Sequence, residues 1–150
     1  LIDIRVFDYT GPYDESLQSS QDWELWIRMS KVTEFEYVDE ILAKYVVHGN
    51  QISTDLNKKI DSFDYIIKKH FNLYKLNRKA LASTYKKTAV ISLMQGSTKY
   101  CRKRILKALT IDWRRVDLFI HLILSFFPAI YRQYVNKHIA IILNDAKLIY

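Results

Sequence analysis

Glycine and proline are scarce in this chain, and that scarcity constrains the fold more than any other feature of the sequence. Three glycines and two prolines occur in 150 residues, whereas 49% of the residues are hydrophobic. Loop-rich all-β folds need many more residues that form turns, because tight turns require special backbone angles. The composition therefore predicts a mainly α-helical protein with enough apolar side chains to bury a sizeable core.

Apolar residues recur at helical spacing over most of the chain. The first helix is predicted to begin after Ser20, a natural N-cap, and to end near Lys31. Its apolar face is predicted to hold Trp23, Trp26, Ile27 and Ser30. Further helices are predicted over residues 54–76, 79–95, 98–109, 116–127 and 128–150. Gly96 is expected to end one of them, and residues 116–127, apolar nearly all round, are expected to be buried or to face a partner.

Two short segments have the pattern of β-strands. Residues 34–38 alternate polar and apolar side chains, and residues 42–48 are rich in β-branched and aromatic side chains. Gly11-Pro12 precedes them and predicts a loop, because proline cannot continue a helix there. The expected fold class is therefore mainly α with a small β element.

The net charge of +7 hides an acidic first part and a basic remainder. Residues 1–53 hold four basic and ten acidic residues, a net of −6, whereas residues 54–150 hold 19 basic and six acidic residues, a net of +13. Such asymmetry suggests a division into residues 1–53 and residues 54–150. The basic part can face a phosphate-rich surface, or its charges can be solvated helix faces, and both interpretations stay open.

Several short motifs occur in order within the acidic part. They are Gly11 with YDE at 13–15, QDWELWIR at 21–28, YVDE at 37–40, Leu42, Tyr45, HG at 48–49 and Ser53. In this order they resemble the C-terminal half of the catalytic domain of family 2 glycosyltransferases, which have the GT-A fold. Each motif by itself is weak, and the order over about a third of the chain carries the resemblance.

The resemblance implies a fragment of an inverting glycosyltransferase. Residues 1–53 would be the acceptor-side part of the GT-A domain, with residues 1–5 as the remnant of a strand, and residues 54–150 would be an antiparallel helical extension. The donor-binding half, with its paired-Asp metal motif, would lie outside this sequence, so the isolated chain is expected to be inactive. The implied partners are a nucleotide-sugar and a glycan or lipid-linked acceptor.

Asp22 is the residue to which the resemblance gives a catalytic role. An inverting transfer needs a carboxylate to accept the proton of the acceptor hydroxyl, and the N-terminus of a helix favours an anionic side chain. From the residues alone, the favoured interpretation of Asp22 is a helix-capping or first-turn carboxylate with no catalytic part. The resemblance also implies that Gly11, Gln21 and Trp23 bind substrate, with Trp23 stacking on a sugar ring. Trp26 is expected in the core and Arg28 as the partner of a carboxylate.

His48 is the candidate metal ligand. The resemblance implies that it helps to hold Mn²⁺ or Mg²⁺ on the donor diphosphate of the full-length enzyme, with no metal expected in the fragment. A structural histidine at a strand end is the alternative. Val46 stands where the family usually has arginine, and the sequence contains no Asp-x-Asp.

Cys101 is the only cysteine, which excludes an internal disulfide and a thiolate cluster within one chain.

Two alternatives to the enzyme concern the basic part. One is a helical protein-interaction module, because residues between 85 and 112 are spaced as in a tetratricopeptide hairpin: Tyr85, Ala89, Gly96, Ile105, Ala108 and Asp112. An ordinary antiparallel hairpin explains the same spacing.

The second alternative is a membrane-surface domain, since the +13 charge adjoins an apolar run. No nucleic acid partner is expected. The expected location is the cytoplasm, with peripheral contact at the cytoplasmic membrane face left open.

Overall fold

The structure is a computed structural model that describes residues 2–40, 42 and 55–147, with side chains described through residue 137. Within these ranges the regular elements are helices, so the mainly α expectation is confirmed. In chain order they are α1 (Val6–Thr10), α2 (Gln21–Met29), α3 (Leu56–Lys69), α4 (Phe71–Leu76), α5 (Arg78–Met94), α6 (Thr98–Ile111), α7 (Val116–Leu124) and α8 (Pro128–Lys147). They divide into two compact units, Leu1–His70 and Phe71–Tyr150. The functional boundary after Ser53 stays a prediction.

The predicted strand at residues 34–38 is wrong. These residues lie in irregular backbone, and no strand occurs anywhere in the described ranges. Phe35 is 58% exposed and Tyr37 is 83% exposed, so the alternating pattern does not bury one face. A strand gains stability only from a paired neighbour and a covered face. Most of the second predicted strand, residues 43–48, lies outside the described residues.

The start of the chain also differs from the expectation. Residues 2–5 form no strand, and they are followed by α1, a short helix that was not predicted. The short helix ends at Gly11, and the Arg28 guanidinium donates hydrogen bonds to the carbonyls of Thr10, Gly11 and Pro12. A cation at the carboxyl end of a helix satisfies its open carbonyls and opposes its dipole.

Helix α2 buries a different face from the predicted one. Its buried residues are Glu24, Leu25 and Met29, whereas Trp26 is 46% exposed. The expectation of Trp26 in the core is therefore wrong. Trp23, Leu25, Trp26, Ile27 and Met29 surround most of the helix, so apolar spacing by itself could not decide which side meets the core.

The helix predicted over residues 54–76 is two helices, α3 and α4, divided at His70. Asp55 caps the first of them, since its side chain accepts hydrogen bonds from the backbone N–H groups of Asn57 and Lys58. Phe63, Ile66 and Ile67 are buried as the apolar spacing predicted. His70 is itself buried, and its ring is hydrogen-bonded to Glu24.

Helices α5 and α6 form an antiparallel hairpin in the second unit. Ala89 and Leu93 share a core cluster with Cys101 and Ile105, and Ala82, earlier on α5, meets Ala108, later on α6. Gly96 ends α5 as expected, with a φ of 85° that favours glycine. The backbone N–H groups of Gly96 and Ser97 donate to the carbonyls of Leu93 and Ser92, which closes the helix end. The tetratricopeptide identity of this hairpin stays a prediction.

Three buried, hydrogen-bonded side chains connect α6, α7 and α8: Cys101, His121 and Tyr131. The Tyr131 hydroxyl lies 2.6 Å from Nδ1 of His121 and is hydrogen-bonded to Cys101. All three side chains are buried, and burial raises the pKa of the Cys101 thiol to about 11. The thiol is therefore an inert core group at neutral pH. No helix in the described part of the chain is long and apolar enough to cross a membrane.

Candidate functional site

The predicted catalytic residue, Asp22, lies at the N-terminus of α2 beside two predicted substrate-binding residues, Gln21 and Trp23. Gln21 is the first helical residue, and Asp22 lies exposed in the first turn. Ser20 occupies the N-cap position with a φ of 57°, but its side chain makes no capping hydrogen bond. The N-terminus of α2, the positive end of the helix dipole, therefore lies beside an exposed carboxylate.

Gln21 is already engaged with the protein. Its side-chain Nε2 donates a 2.7 Å hydrogen bond to the carbonyl of Leu17, which is itself buried. This bond fixes the loop between residues 17 and 21 against the start of the helix. The predicted contact between Gln21 and a substrate hydroxyl stays a prediction, and the structure gives the amide nitrogen a role in holding the loop.

Trp23 and Trp26 lie on the exposed side of α2 and line an open pocket of about 660 Å³. Its other walls are Ile2, Ile27, Met29, Ser30 and Phe35. The Trp23 ring meets Phe63 of α3 edge to face, with 6.0 Å between the ring centroids and an angle of 73°. That contact fixes the ring while leaving 41% of the residue exposed. Flat aromatic faces in an open pocket can stack on the apolar face of a sugar ring.

Asp22, Gln21 and Gly11 are not among the residues that line this pocket. Asp22 is adjacent in sequence to Trp23, which lines the pocket, but the Asp22 carboxylate is not part of the pocket lining. Gly11 has a φ of 70°, and its carbonyl accepts a hydrogen bond from Arg28. The left-handed backbone explains why a glycine is needed at this turn.

A buried carboxylate, Glu24, organises the interior beneath this surface. Its side chain is fully buried and is bonded by three cationic or polar groups. Arg28 Nη2 lies 2.7 Å from Oε2, Lys69 Nζ lies 2.9 Å from Oε1, and His70 Nε2 lies 2.9 Å from Oε1. Two of these partners come from the end of α3 and the junction after it. Glu24 therefore ties α2 to a segment about 45 residues away in sequence.

The pKa of Glu24 follows from these contacts. Burial raises the pKa of a carboxyl group, but hydrogen bonds from Arg28, Lys69 and His70 outweigh burial and lower the pKa of Glu24 to about 2. The carboxylate is ionised at neutral pH and can only accept hydrogen bonds, so Nε2 of His70 is the donor in that pair.

Lys69 links Glu24 to the YDE motif. Its Nζ lies 2.6 Å from Oδ2 of Asp14, and the Tyr65 hydroxyl donates to the same oxygen at 3.1 Å. The hydrogen bonds from Lys69 and from Ser16 lower the pKa of Asp14, although partial burial opposes them. The acidic residues of this motif therefore do not all face solvent. Asp14 holds the loop before α2 against α3.

The sequence predicted roles for Asp22 and Trp23, which stay predictions, and it did not indicate the network around Glu24. The Glu24–Arg28 pair can be predicted from the sequence, since residues four apart on a helix lie on one face. The expected pairing of Arg28 with a carboxylate is confirmed at this position. Lys69 and His70 carry no such signal, because their approach to Glu24 depends on the packing of α3.

In the described ranges, no three His, Cys, Asp or Glu side chains are placed to hold a metal ion. His48, the predicted metal ligand, lies outside the described residues. The metal site of the full-length enzyme therefore stays a prediction.

Comparison with known proteins adds no relative. No protein-family model matches the chain, and no curated protein and no solved structure matches it.

Proposed function

We propose that this chain is the acceptor-side part of an inverting glycosyltransferase, with Asp22 as the general base. The observation that carries the proposal is an exposed carboxylate in the first turn of α2, followed in sequence by Trp23, which lines an open pocket with Trp26 and Phe35. The ordered motifs between Gly11 and Ser53 supply the resemblance to family 2 glycosyltransferases, and the geometry at α2 supports the same chemistry.

In the proposed reaction, Asp22 accepts the proton of an acceptor hydroxyl as that oxygen attacks the anomeric carbon of the donor sugar. The exposed position of the carboxylate gives an acceptor access to it. Trp23 supplies a flat surface on which the acceptor ring can stack. A divalent Mn²⁺ or Mg²⁺ ion, for which His48 is the proposed ligand, would neutralise the leaving diphosphate.

The network around Glu24 gives this surface its rigidity. Glu24 and Asp22 lie two positions apart on α2, so the helix turns one carboxylate inward and the other outward. Arg28 binds Glu24 and also the carbonyls on either side of Gly11. Glu24 and Arg28 are therefore positioning residues in the proposal, because Glu24 is fully buried and Arg28 is bound to Glu24 and to the loop carbonyls.

The proposal keeps a nucleotide-sugar and a glycan or lipid-linked acceptor as partners, and the cytoplasm as the location. The 150-residue chain by itself is expected to be inactive, since the donor-binding half would lie outside it. Activity is therefore to be measured on the protein encoded by the complete reading frame.

The test is the substitution Asp22→Asn in that complete protein. Loss of a general base should lower kcat for sugar transfer by about 10²–10⁴-fold while leaving KM for the nucleotide-sugar nearly unchanged. The matched control is Asp8→Asn, which removes another exposed carboxylate, from the first turn of α1. Near-normal kcat in Asp22→Asn, or an equal loss in both variants, would remove Asp22 from the mechanism.

A further inference from the structure

Helix α7 is apolar on both sides, and only one side packs within the second unit. Leu118 and His121 are buried. The opposite side carries Val116, Phe119, Ile120 and Ile123, which are spaced as one helical face and are 44% to 70% exposed. This segment was expected to be buried or to face a partner. In the structure one side of α7 is buried and the other is exposed.

The exposed side continues past the end of the helix. The backbone N–H groups of Phe126 and Phe127 donate to the carbonyls of Ile123 and Leu124, so the turn carries both rings directly onward from α7. Phe126 is 60% exposed and Phe127 is 55% exposed. We call the six residues Val116, Phe119, Ile120, Ile123, Phe126 and Phe127 the apolar face. An exposed set of this size and chemistry marks an interaction surface.

Cations accompany the apolar face. Residues 71–137 hold 14 basic residues and two acidic ones, Asp112 and Asp117. Asp117 is bonded to Arg115 at 2.6 Å and to Lys86 at 2.9 Å, so its charge is opposed within the unit. The net charge of residues 71–137, which include the apolar face, is therefore strongly positive.

Two arginines of the second unit lie over exposed aromatic rings. The Arg102 guanidinium lies 5.0 Å from the centre of the Phe126 ring. The Arg114 guanidinium lies 5.7 Å from the centre of the Trp113 ring, and Trp113 is 67% exposed just before α7 begins. Aromatic rings beside arginine are suited to the boundary between lipid head groups and acyl chains, where one group meets phosphate and the other meets hydrocarbon.

We propose that the apolar face docks in the interfacial layer of an anionic lipid membrane, with Arg102 and Arg114 directed at lipid phosphates. Charge complementarity selects this occupant. Docking of this face on the same face of a second copy would bring together two basic units of the same strong positive charge, which opposes self-association. An anionic bilayer supplies both a negative surface and an apolar layer beneath it. This inference does not rest on the proposed transferase activity.

The test is co-sedimentation of the 150-residue chain with vesicles. The chain should sediment with vesicles of phosphatidylcholine mixed with phosphatidylglycerol, remain in solution with phosphatidylcholine vesicles, and bind less as salt is raised. Ile123→Glu/Phe126→Glu should weaken binding by about tenfold or more, because each change places a charge in the apolar layer. The control Leu76→Glu alters an 86% exposed leucine on α4 and should bind like the unaltered chain.

A second measurement needs no change in the apolar face. In a Trp23→Phe/Trp26→Phe background, Trp113 is the remaining tryptophan. Phosphatidylglycerol vesicles with brominated acyl chains should quench its fluorescence, since bromine in the acyl layer quenches only rings that reach that layer. This readout stands even where the double glutamate variant fails to fold, which its circular dichroism spectrum reveals.

Three results would overturn the inference. The first is a chain that stays in solution with anionic vesicles at low salt. The second is salt-sensitive binding that the double variant retains in full and that leaves Trp113 unquenched, because charge by itself would then explain it. The third is a dimer in sedimentation velocity that Ile123→Glu/Phe126→Glu dissociates, which would assign the apolar face to a second copy.

Discussion

Glu24 keeps its negative charge inside the first unit, where the side chain has no exposure to solvent. A buried ion costs several kcal/mol to desolvate, and Arg28, Lys69 and His70 offset this cost through hydrogen bonds. The pKa of Glu24, about 2, is lower than its ordinary value of 4.5, which means that the folded state prefers the ionised form.

Glu24→Gln should lower the free energy of unfolding of the first unit by about 3 kcal/mol at neutral pH, because it leaves a cluster of cations without their shared anion. Urea unfolding followed by the fluorescence of Trp23 and Trp26 measures this, in a Trp113→Phe background. The contribution of the ionised carboxylate is complete above pH 4.5 and is lost as pH falls toward about 2, since the unfolded carboxyl binds its proton first.

The unaltered protein and Glu24→Gln should thus converge in stability as the pH falls from 4.5 toward about 2. Asp3→Asn is the control, because the Asp3–Arg5 pair is exposed and exposed ion pairs contribute little. It should leave the urea midpoint unchanged at every pH. A stability gap between the unaltered protein and Glu24→Gln that stays constant down to pH 2 would contradict the ionised, buried carboxylate.

At the scale of single elements, the helix ends of the second unit differ in how they are capped. The Asn77 side chain accepts a 2.9 Å hydrogen bond from the backbone N–H of Ala80 at the start of α5. Ser97 occupies the same position before α6, but its side chain makes no capping hydrogen bond. The two positions therefore form a matched pair for measuring what a cap contributes.

Asn77→Ala should lower the free energy of unfolding by about 1 kcal/mol, because it leaves an N–H group of α5 without its side-chain partner. Ser97→Ala should cause a smaller loss, since no such bond is removed. Thermal unfolding provides the comparison, followed by circular dichroism at 222 nm, a wavelength at which helices give a strong negative signal. Equal losses in the two variants would contradict the assigned caps.

The helices of the second unit were predictable because their signals are local. Helices α5 and α6 begin and end within about two residues of the predicted ranges, and Gly96 lies between them with the positive φ that its residue type favours. Apolar spacing and a helix-ending glycine depend only on neighbours in sequence. For the same reason, Asp22 could be placed in the first turn of α2 from the sequence.

The first unit was less predictable because its contacts are distant in sequence. Trp26 was expected in the core, but the core side of α2 is decided by Glu24, whose partners Lys69 and His70 lie at the end of α3 and just after it. Residues 34–38 alternate like a strand, yet a strand needs a paired neighbour, which a local pattern cannot supply. The family resemblance gave predicted roles to Asp22 and Trp23, but it did not predict the buried cluster of Glu24, Lys69 and His70 beneath α2.

At the scale of the whole molecule, the charge division and the division into compact units nearly coincide. The acidic residues are concentrated in Leu1–His70, where Glu24 and Asp14 are bound by internal cations. The basic residues are concentrated in Phe71–Tyr150, where the apolar face of α7 is exposed. The proposed chemistry belongs to the first unit and the proposed lipid contact to the second, so each can fail without the other.

The central claim is that this chain belongs to an inverting glycosyltransferase, and the anomeric configuration of the product tests it most directly. The protein encoded by the complete reading frame is to be incubated with a panel of α-linked nucleotide-sugars and candidate glycan acceptors, and the product examined by proton NMR. A base such as Asp22 that activates the acceptor for direct displacement should give a β-linked product. A product that keeps the α configuration, or no transfer from any donor in the panel, would contradict the account.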